Sequence, residues 1–374
     1  MAKLLVNALS ATNPSGLHVL RGHAEQLADA LRGRVRLVVL GRADMESLRA
    51  GLGDRVDWEF APAATRGWCF RALWERAHLA RLVRKQAAGI YFTPSGMAAH
   101  LPPDVRQIVF CQNPWALVPA ARRRRDCAKA WLQRRAYRRA MRAAAVLVFN
   151  SRYMQAAYRA NAGGEEKRGR VVYQAADDAT RARAAAAADV PRRPGQILCT
   201  SVMGPHKNAE TLVRALREVR TACPEARLVF AGSWPAAAYA RKIRGLVAAL
   251  GLGAAVEFAG FVSRERLDRL YAESRVFCLM SRCESFGIPA VEAQLFGTPV
   301  VSSAVCAIPE ICGAGGWYRD PDDAPGVAAA LRTLLQDDAE WARLSAAARA
   351  NAARFSWAAC SRPLVDLVGE LADA

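Results

Sequence analysis

SRCESFGIPAVE, residues 281–292, lies between a short apolar run with strand character, Val276 to Met280, and a helical pattern from Pro289 to Phe296. A strand end, a tight turn and a helix opening therefore share a few residues. Pro289 suits the first helical position, because it lacks the N–H that would be orphaned there and its φ is already set. Gly287 lets the backbone bend and come close to a ligand. The amides of Phe286, Gly287 and Ile288 then point outward at a helix N-terminus, a place that favours an anion such as a diphosphate. Glu284 lies in the loop and Glu292 about one helical turn in, so the two carboxylates are apart and suited to different jobs. A carboxylate beside a phosphate is repelled by it, so these two are better matched to hydroxyls of a sugar and a ribose. The plainer alternative is that Glu292 complements the helix dipole and Glu284 is a solvated loop residue.

Outward from this turn the same alternation continues. Downstream come a strand, Pro299 to Ser302, and three helices. Upstream come strand Ile197 to Ser201, helix Asn208 to Arg220, strand Arg227 to Ala231, helix Tyr239 to Leu250, strand Val256 to Phe258 and helix Arg264 to Glu273. Strands separated by helices build parallel sheets with crossover helices. The first half has strand candidates at Lys3 to Leu9, Val35 to Leu40, Val56 to Phe60, Ile90 to Thr93, Arg106 to Cys111, Ala145 to Asn150 and Arg170 to Tyr173. Between the halves, ATRARAAAAADVPRRPG, residues 179–195, has few large apolar side chains and reads as a connection or the end of a surface helix. The expected fold is α/β, with two Rossmann-like doubly wound domains facing a shared cleft that takes the ligand. The expected divisions are residues 1–180, a linker at 181–195, residues 196–355, and a helix at 356–374 packing back toward the first domain.

A length of 374 residues suits two domains, and 52% hydrophobic with 23% charged residues excludes disorder for the bulk of the chain. No run approaches the roughly 18 apolar residues of a membrane span, and MAKLLVN at the start does not resemble a secretory leader. A cytoplasmic protein is expected. Ten cysteines without a C-x-x-C predict small core residues, not a zinc site or a disulfide framework. The net charge of +19 comes almost wholly from Arg and identifies no partner by itself.

The match around the central turn extends well beyond it. VEFAGF at 256–261, LDRLYAES at 267–274, GTPVV at 297–301, Ile308-Pro309-Glu310 and Phe355-Ser356-Trp357 follow in order. Together with Glu284 and Glu292 they resemble the retaining glycosyltransferases of family 4, with their E-x7-E motif and GT-B fold. The resemblance covers residues 196–360, and the first half only in pattern. It implies that Glu284 contacts the donor sugar near its reacting carbon, that Glu292 binds the ribose, and that Ser285, Phe286, Gly287 and Ile288 hold the sugar and diphosphate. Lys207, in Pro205-His206-Lys207-Asn208, would neutralise the leaving diphosphate, and Phe261 would border the donor. Ser15 and Gly16, in Asn13-Pro14-Ser15-Gly16, resemble the small-residue loop that faces the donor in this fold. No metal or other cofactor is implied.

Two departures from the family pattern stand out. Its arginine ahead of the lysine is replaced by Ser201 or Val202, leaving Arg282 or His206 to supply the second cation. Its first-domain histidine is replaced by Gln112 in VFCQNPW, residues 109–115, with Asn113 and His100 as alternatives. Glutamine exchanges no proton near neutral pH, so Gln112 would position and not catalyse by acid–base transfer.

A basic segment carries Arg122 to Arg125, Lys129, Arg134, Arg135, Arg138, Arg139 and Arg142. On a helix, the arginines from 134 to 142 share one arc with Trp131, while Ala136, Tyr137, Ala140 and Ala144 lie opposite. That face fits an anionic membrane leaflet, with a solvated charged helix as the alternative. No signature of nucleic-acid binding accompanies it. The expected activity is transfer, with retention, of a sugar from a nucleotide-sugar donor to a glycan or lipid-linked glycan acceptor. Cell-surface polysaccharide or lipopolysaccharide synthesis at the inner face of the cytoplasmic membrane would be its setting. A nucleotide-sugar epimerase, a glycan phosphorylase or an inactive scaffold on the same fold are the alternatives.

Overall fold

The computed structural model describes residues 1–119, 126–164 and 168–374. Its contacts divide the chain into two units: one takes most of the chain as far as Ala175 together with Trp357–Ala374, and the other takes Ala176–Ser356.

The first unit runs β1 (Ala2–Asn7), α1 (Pro14–Ala30), β2 (Val35–Gly41), α2 (Glu46–Leu52), β3 (Asp57–Phe60), α3 (Trp68–Gln86), β4 (Ile90–Thr93), β5 (Arg106–Cys111), α4 (Cys127–Ala143), β6 (Val146–Phe149), α5 (Arg152–Asn161) and β7 (Gly169–Val171). Its strands form a seven-stranded sheet in the order β3-β2-β1-β4-β5-β6-β7. The second unit continues with α6 (Asp178–Ala186), β8 (Arg193–Thr200), α7 (Ala209–Val219), β9 (Arg227–Ala231), α8 (Ala237–Ala249), β10 (Val256–Gly260), α9 (Arg264–Glu273), β11 (Ser274–Leu279), α10 (Ile288–Leu295), β12 (Val300–Ser303), α11 (Ile308–Cys312), β13 (Gly316–Arg319), α12 (Ala324–Gln336) and α13 (Asp338–Ala353). Its six strands are ordered β10-β9-β8-β11-β12-β13. Every pairing is parallel. Strands covered by helices on both faces become continuous apolar runs, as in Leu37, Val38, Val39 and Leu40, all buried. The strand order reverses between β1 and β4 and between β8 and β11. At such points the loops after neighbouring strands diverge and leave a crevice where α/β sheets take ligands.

α14 (Trp357–Asp373) closes the chain by packing on α1 of the first unit. The Trp357 ring stands edge-on to buried His23, 4.9 Å between centroids, and a Cβ on Gly22 would lie 2.2 Å from that indole. Arg34 pairs with Asp373 at 2.7 Å and Arg168 with Glu370 at 2.6 Å.

Several features differ from the sequence reading. Residues 181–195 are not a bare linker: they begin inside α6 and end in β8, and both elements belong to the second unit. Arginines make the difference. Arg183 pairs with Asp268, and Arg192 donates to the carbonyls of Tyr271 and Ser274 at 3.1 and 3.0 Å and to Thr298 Oγ1 at 2.6 Å. β13 and α11 went unread: GWYR in β13 is not an apolar run, and the five residues of α11 are too few to show a helical period. Cys69 and Cys127 are exposed and Cys306 half-buried, whereas the other seven cysteines are buried as core residues. Among the described residues no helix is long and apolar enough to cross a membrane.

Candidate active site

Lys207 and Glu284 meet at the carboxyl ends of β8 and β11, the two strands that flank the reversal in the second sheet. Lys207 Nζ donates to Glu284 Oε1 at 2.6 Å, and the two side chains are only 13% and 12% exposed. The loops that carry them are tied together by backbone: the Arg282 amide donates to the His206 carbonyl at 2.8 Å, and Ser281 Oγ donates to the same oxygen at 3.1 Å. Asn208, in the left-handed region at φ 54°, turns the chain from Lys207 into α7 and anchors through its amide to the Pro321 carbonyl at 2.5 Å. Lys207 is therefore held in place by a turn and by its carboxylate partner.

Gly287 caps α10 at φ 99°, a conformation that costs glycine little and other residues much. A Cβ there would also sit 2.6 Å from Ile308 Cδ1. Pro289 follows in the first turn, so the missing donor coincides with an amide that has no intrahelical acceptor. The Phe286 side chain is buried edge-on against Phe355, 5.4 Å between centroids. Only its main chain can serve a ligand. Ser285 and Ile288 are half-buried beside it, and Phe261 is 87% exposed just after β10.

Glu292, one turn into α10, is held from two sides. Its Oε1 accepts from Arg264 Nη1 at 2.7 Å and its Oε2 from the Tyr271 hydroxyl at 3.0 Å. Burial first, and then the Glu292 charge, push the Tyr271 phenol well up, so it remains a protonated donor. The sequence reading missed both partners. Arg264 carried a signal: it opens a helix, where the dipole favours acidic residues, so its charge serves something other than the helix. Gly232, after β9, was also missed. At φ 132° its missing side chain lets the Ser201 carbonyl approach within 1.9 Å of where a Cβ would be, and its amide donates to the Gly260 carbonyl at 2.6 Å.

Neither candidate second cation is a free positive charge. Arg282 pairs with Asp322. The His206 imidazole is held below its usual pKa by burial and then by the adjacent Lys207 charge, so it is neutral near pH 7 and supplies no cation.

In the first unit the Asn13 side chain caps α1 by accepting from the Gly16 amide at 2.7 Å. That amide is consequently not open to a ligand, while Ser15 beside it is exposed. Gln112, after β5, is bound at both ends of its amide: Nε2 donates to the Pro94 carbonyl at 3.3 Å and Oε1 accepts from Gln174 at 3.2 Å. Asn113 Oδ1 accepts from the Trp115 amide at 3.0 Å. His100 is exposed, with Nε2 2.6 Å from Arg139; burial and then the charges of Arg139 and Arg76 lower its pKa.

On α4, Arg134, Arg135, Arg139 and Arg142 are exposed and Arg138 half-buried, with Trp131 54% exposed and Tyr137, Ala140 and Ala144 buried. Ala136 is half-buried. Arg134 Nε donates to Asn161 Oδ1 at 2.9 Å, and Arg135 lies 5.9 Å from the Trp131 ring centre. Arg122 to Arg125 lie outside the described residues.

Residues 181–351 match the family model for glycosyl transferases group 1. Over 112 residues, 30% of this chain and 29% of the relative, the chain is 38% identical to the O-antigen chain mannosyltransferase B of Escherichia coli. Over 201 residues, 50% of this chain and 44% of the relative, it is 32% identical to a D-inositol 3-phosphate glycosyltransferase of Nocardioides sp.. The matched stretches thus span less than half the length of these curated relatives. Among solved structures, sucrose-phosphate synthase from Thermosynechococcus elongatus superposes with a TM-score of 0.76 at 20% identity, covering 99% of both chains. HepE of Anabaena, in complex with UDP and glucose, superposes with a TM-score of 0.70 at 19% identity, covering 99% of this chain and 100% of its own. The structural likenesses identify two Rossmann-like domains of the GT-B fold.

Proposed function

We propose that this chain is a retaining, metal-independent glycosyltransferase of family 4 that moves a sugar from a nucleotide-diphosphate donor to a glycan or lipid-linked glycan acceptor. The observation that carries the reading is the Lys207–Glu284 pair at the strand-order reversal, with the Gly287 turn and Glu292 on the helix that follows. On this reading the diphosphate takes Lys207 as its counter-charge and the amides of the 285–288 turn as donors, so that negative charge growing on the leaving group meets preset dipoles. Glu284, released from Lys207, accepts from donor-sugar hydroxyls. The acceptor oxygen attacks the reacting carbon from the face the diphosphate leaves, its proton passing to the departing phosphate oxygen, and the configuration there is kept. Gln112 holds a polar contact and moves no proton.

The O-antigen mannosyltransferase relative supports a glycan acceptor made for the cell surface. The exposed arginines and Trp131 of α4 support docking at the anionic inner face of the cytoplasmic membrane. Trp68 and Leu73 of α3, 70% and 68% exposed, add apolar contact area in the same unit.

The test is incubation of the full chain with labelled GDP-, UDP-, dTDP- and ADP-sugars and a lipid-linked glycan fraction, followed by NMR of the product linkage. A labelled glycan with the donor's anomeric configuration is expected. An inverted linkage, an epimerised donor, a free sugar phosphate, or no product from any donor overturns the proposal.

A further inference from the structure

Glu292 stands at the end of a row of alternating charges that the proposed chemistry does not by itself require. Arg264 Nη1 donates to Glu292 Oε1 at 2.7 Å, while Arg264 Nη2 lies 2.6 Å from Asp268 Oδ1. Asp268 is in turn paired with Arg183 of α6. Arg264, Asp268 and Tyr271 fall at positions i, i+4 and i+7 of α9, so one stripe of that helix is turned toward α10. Arg264 Nε and Nη2 and Asp268 Oδ1 are buried without a hydrogen-bond partner, so Asp268 holds the guanidinium by charge, and its directional bond goes to Glu292. Burial opposes the Arg264 charge, but the Glu292 carboxylate, and then Asp268, more than offset it and raise its pKa.

The consequence lies in what Glu292 has left to offer. An ionised carboxylate has about four lone-pair sites on two oxygens. Arg264 occupies one on Oε1 and Tyr271 one on Oε2, leaving one acceptor site on each oxygen, both fixed in direction. Two acceptor sites, one on each oxygen of a carboxylate held from both sides, can serve two adjacent hydroxyls. We propose that Arg264, supported by Asp268 and Tyr271, is a positioning residue that holds Glu292 for the 2′- and 3′-hydroxyls of the donor's ribose, and so makes the chain select ribonucleotides over 2′-deoxyribonucleotides. This rests on the reading of Glu292 as the ribose acceptor. A carboxylate free to rotate would bind either hydroxyl alone and would lose that selectivity.

The probes are nucleoside diphosphates without sugar: UDP, GDP and ADP, each with its 2′-deoxy form, titrated calorimetrically into the full chain. The wild type is expected to bind the ribo form of its preferred base roughly tenfold to hundredfold more tightly, the scale of one hydrogen bond to a charged group. Arg264→Met brings that ratio toward unity, chiefly by weakening the ribo form, and Arg264→Lys restores part of it. Arg264→Met with an unchanged ratio, even if both affinities fall, overturns the positioning role, because a general loosening of the site weakens both forms alike. Should that variant not fold, Tyr271→Phe reads the same ratio, and an unchanged value there has the same meaning. A wild type that binds a diphosphate without preferring ribose overturns the reading of Glu292 and this inference with it. No binding of any diphosphate overturns the proposed function as well.

Discussion

Lys207 and Glu284 are 77 residues apart in the chain and 2.6 Å apart in space. Each is the other's counter-charge where little water reaches, so neither can be altered without exposing its partner. Glu284→Gln keeps the shape and removes the charge. Turnover is expected to fall by about a hundredfold to a thousandfold, the loss typical of removing one preset electrostatic contact, and Lys207→Met should do the same. Steady-state assays with a labelled donor decide it; a variant within tenfold of the parent contradicts the assigned roles. Gly287→Ala would force a side chain into φ 99° and against Ile308. A loss of about 1–3 kcal/mol is expected, measured by denaturant unfolding, and wild-type stability would show that the turn relaxes. His23, 1% exposed, is the clearest pH-sensitive group. Burial and then the nearby His18 lower its pKa to about 3. Below its unfolded pKa of 6.5 the unfolded chain takes up a proton that the folded chain refuses. Stability from this group is thus complete above pH 6.5 and declines toward pH 3, by about 1.4 kcal/mol per pH unit. Urea titrations at pH 7 and pH 5 should show a smaller loss for His23→Gln than for the wild type; equal losses would place the sensitivity elsewhere.

At the scale of elements, boundaries that depend on local pattern were legible. β4, β5, β9 and α9 begin and end where the apolar spacing of the sequence put them. Alternation and i, i+4 spacing are properties of neighbours, so they survive without knowledge of the fold. The segment at 181–195 was legible only in part, as the end of a helix through Ala186, for the complementary reason. Its arginines look solvated until α9 and α10 are beside them. Arg192 reaches the ends of both helices, accepted by Tyr271 and by Phe296 at 2.5 Å, with its guanidinium 5.3 Å from the Trp341 ring centre. Burial first, and then the charges of Arg349 and Arg275, lower its pKa to about 10, still well above neutrality. A lysine cannot reproduce the planar fork. Arg192→Lys is therefore expected to lower stability by about 2–4 kcal/mol, since several buried carbonyls lose their donor. Unfolding midpoints measure this, and a change under about 0.5 kcal/mol would mean that water or Arg349 takes over.

Across the whole molecule, the +19 net charge becomes informative only through its distribution. If α4 docks on anionic lipid, sedimentation with phosphatidylglycerol vesicles should be strong at low salt and fall as salt rises. Replacing Arg135 and Arg138 by Glu and Trp131 by Ser should weaken it more than tenfold, because each cation near the surface contributes about 1 kcal/mol. Binding that survives both salt and substitution would exclude that face. The sequence alone determined the alternation that makes two parallel sheets, the turn at Gly287, and the candidacy of Glu284, Glu292 and Lys207. These are written in spacing and in the backbone needs of single residues. Tertiary structure decided that Lys207 faces Glu284, that Glu292 is gripped by Arg264 and Tyr271, and that Gln112 is bound at both ends. Strand order chooses which loops become neighbours, and no local pattern records that order.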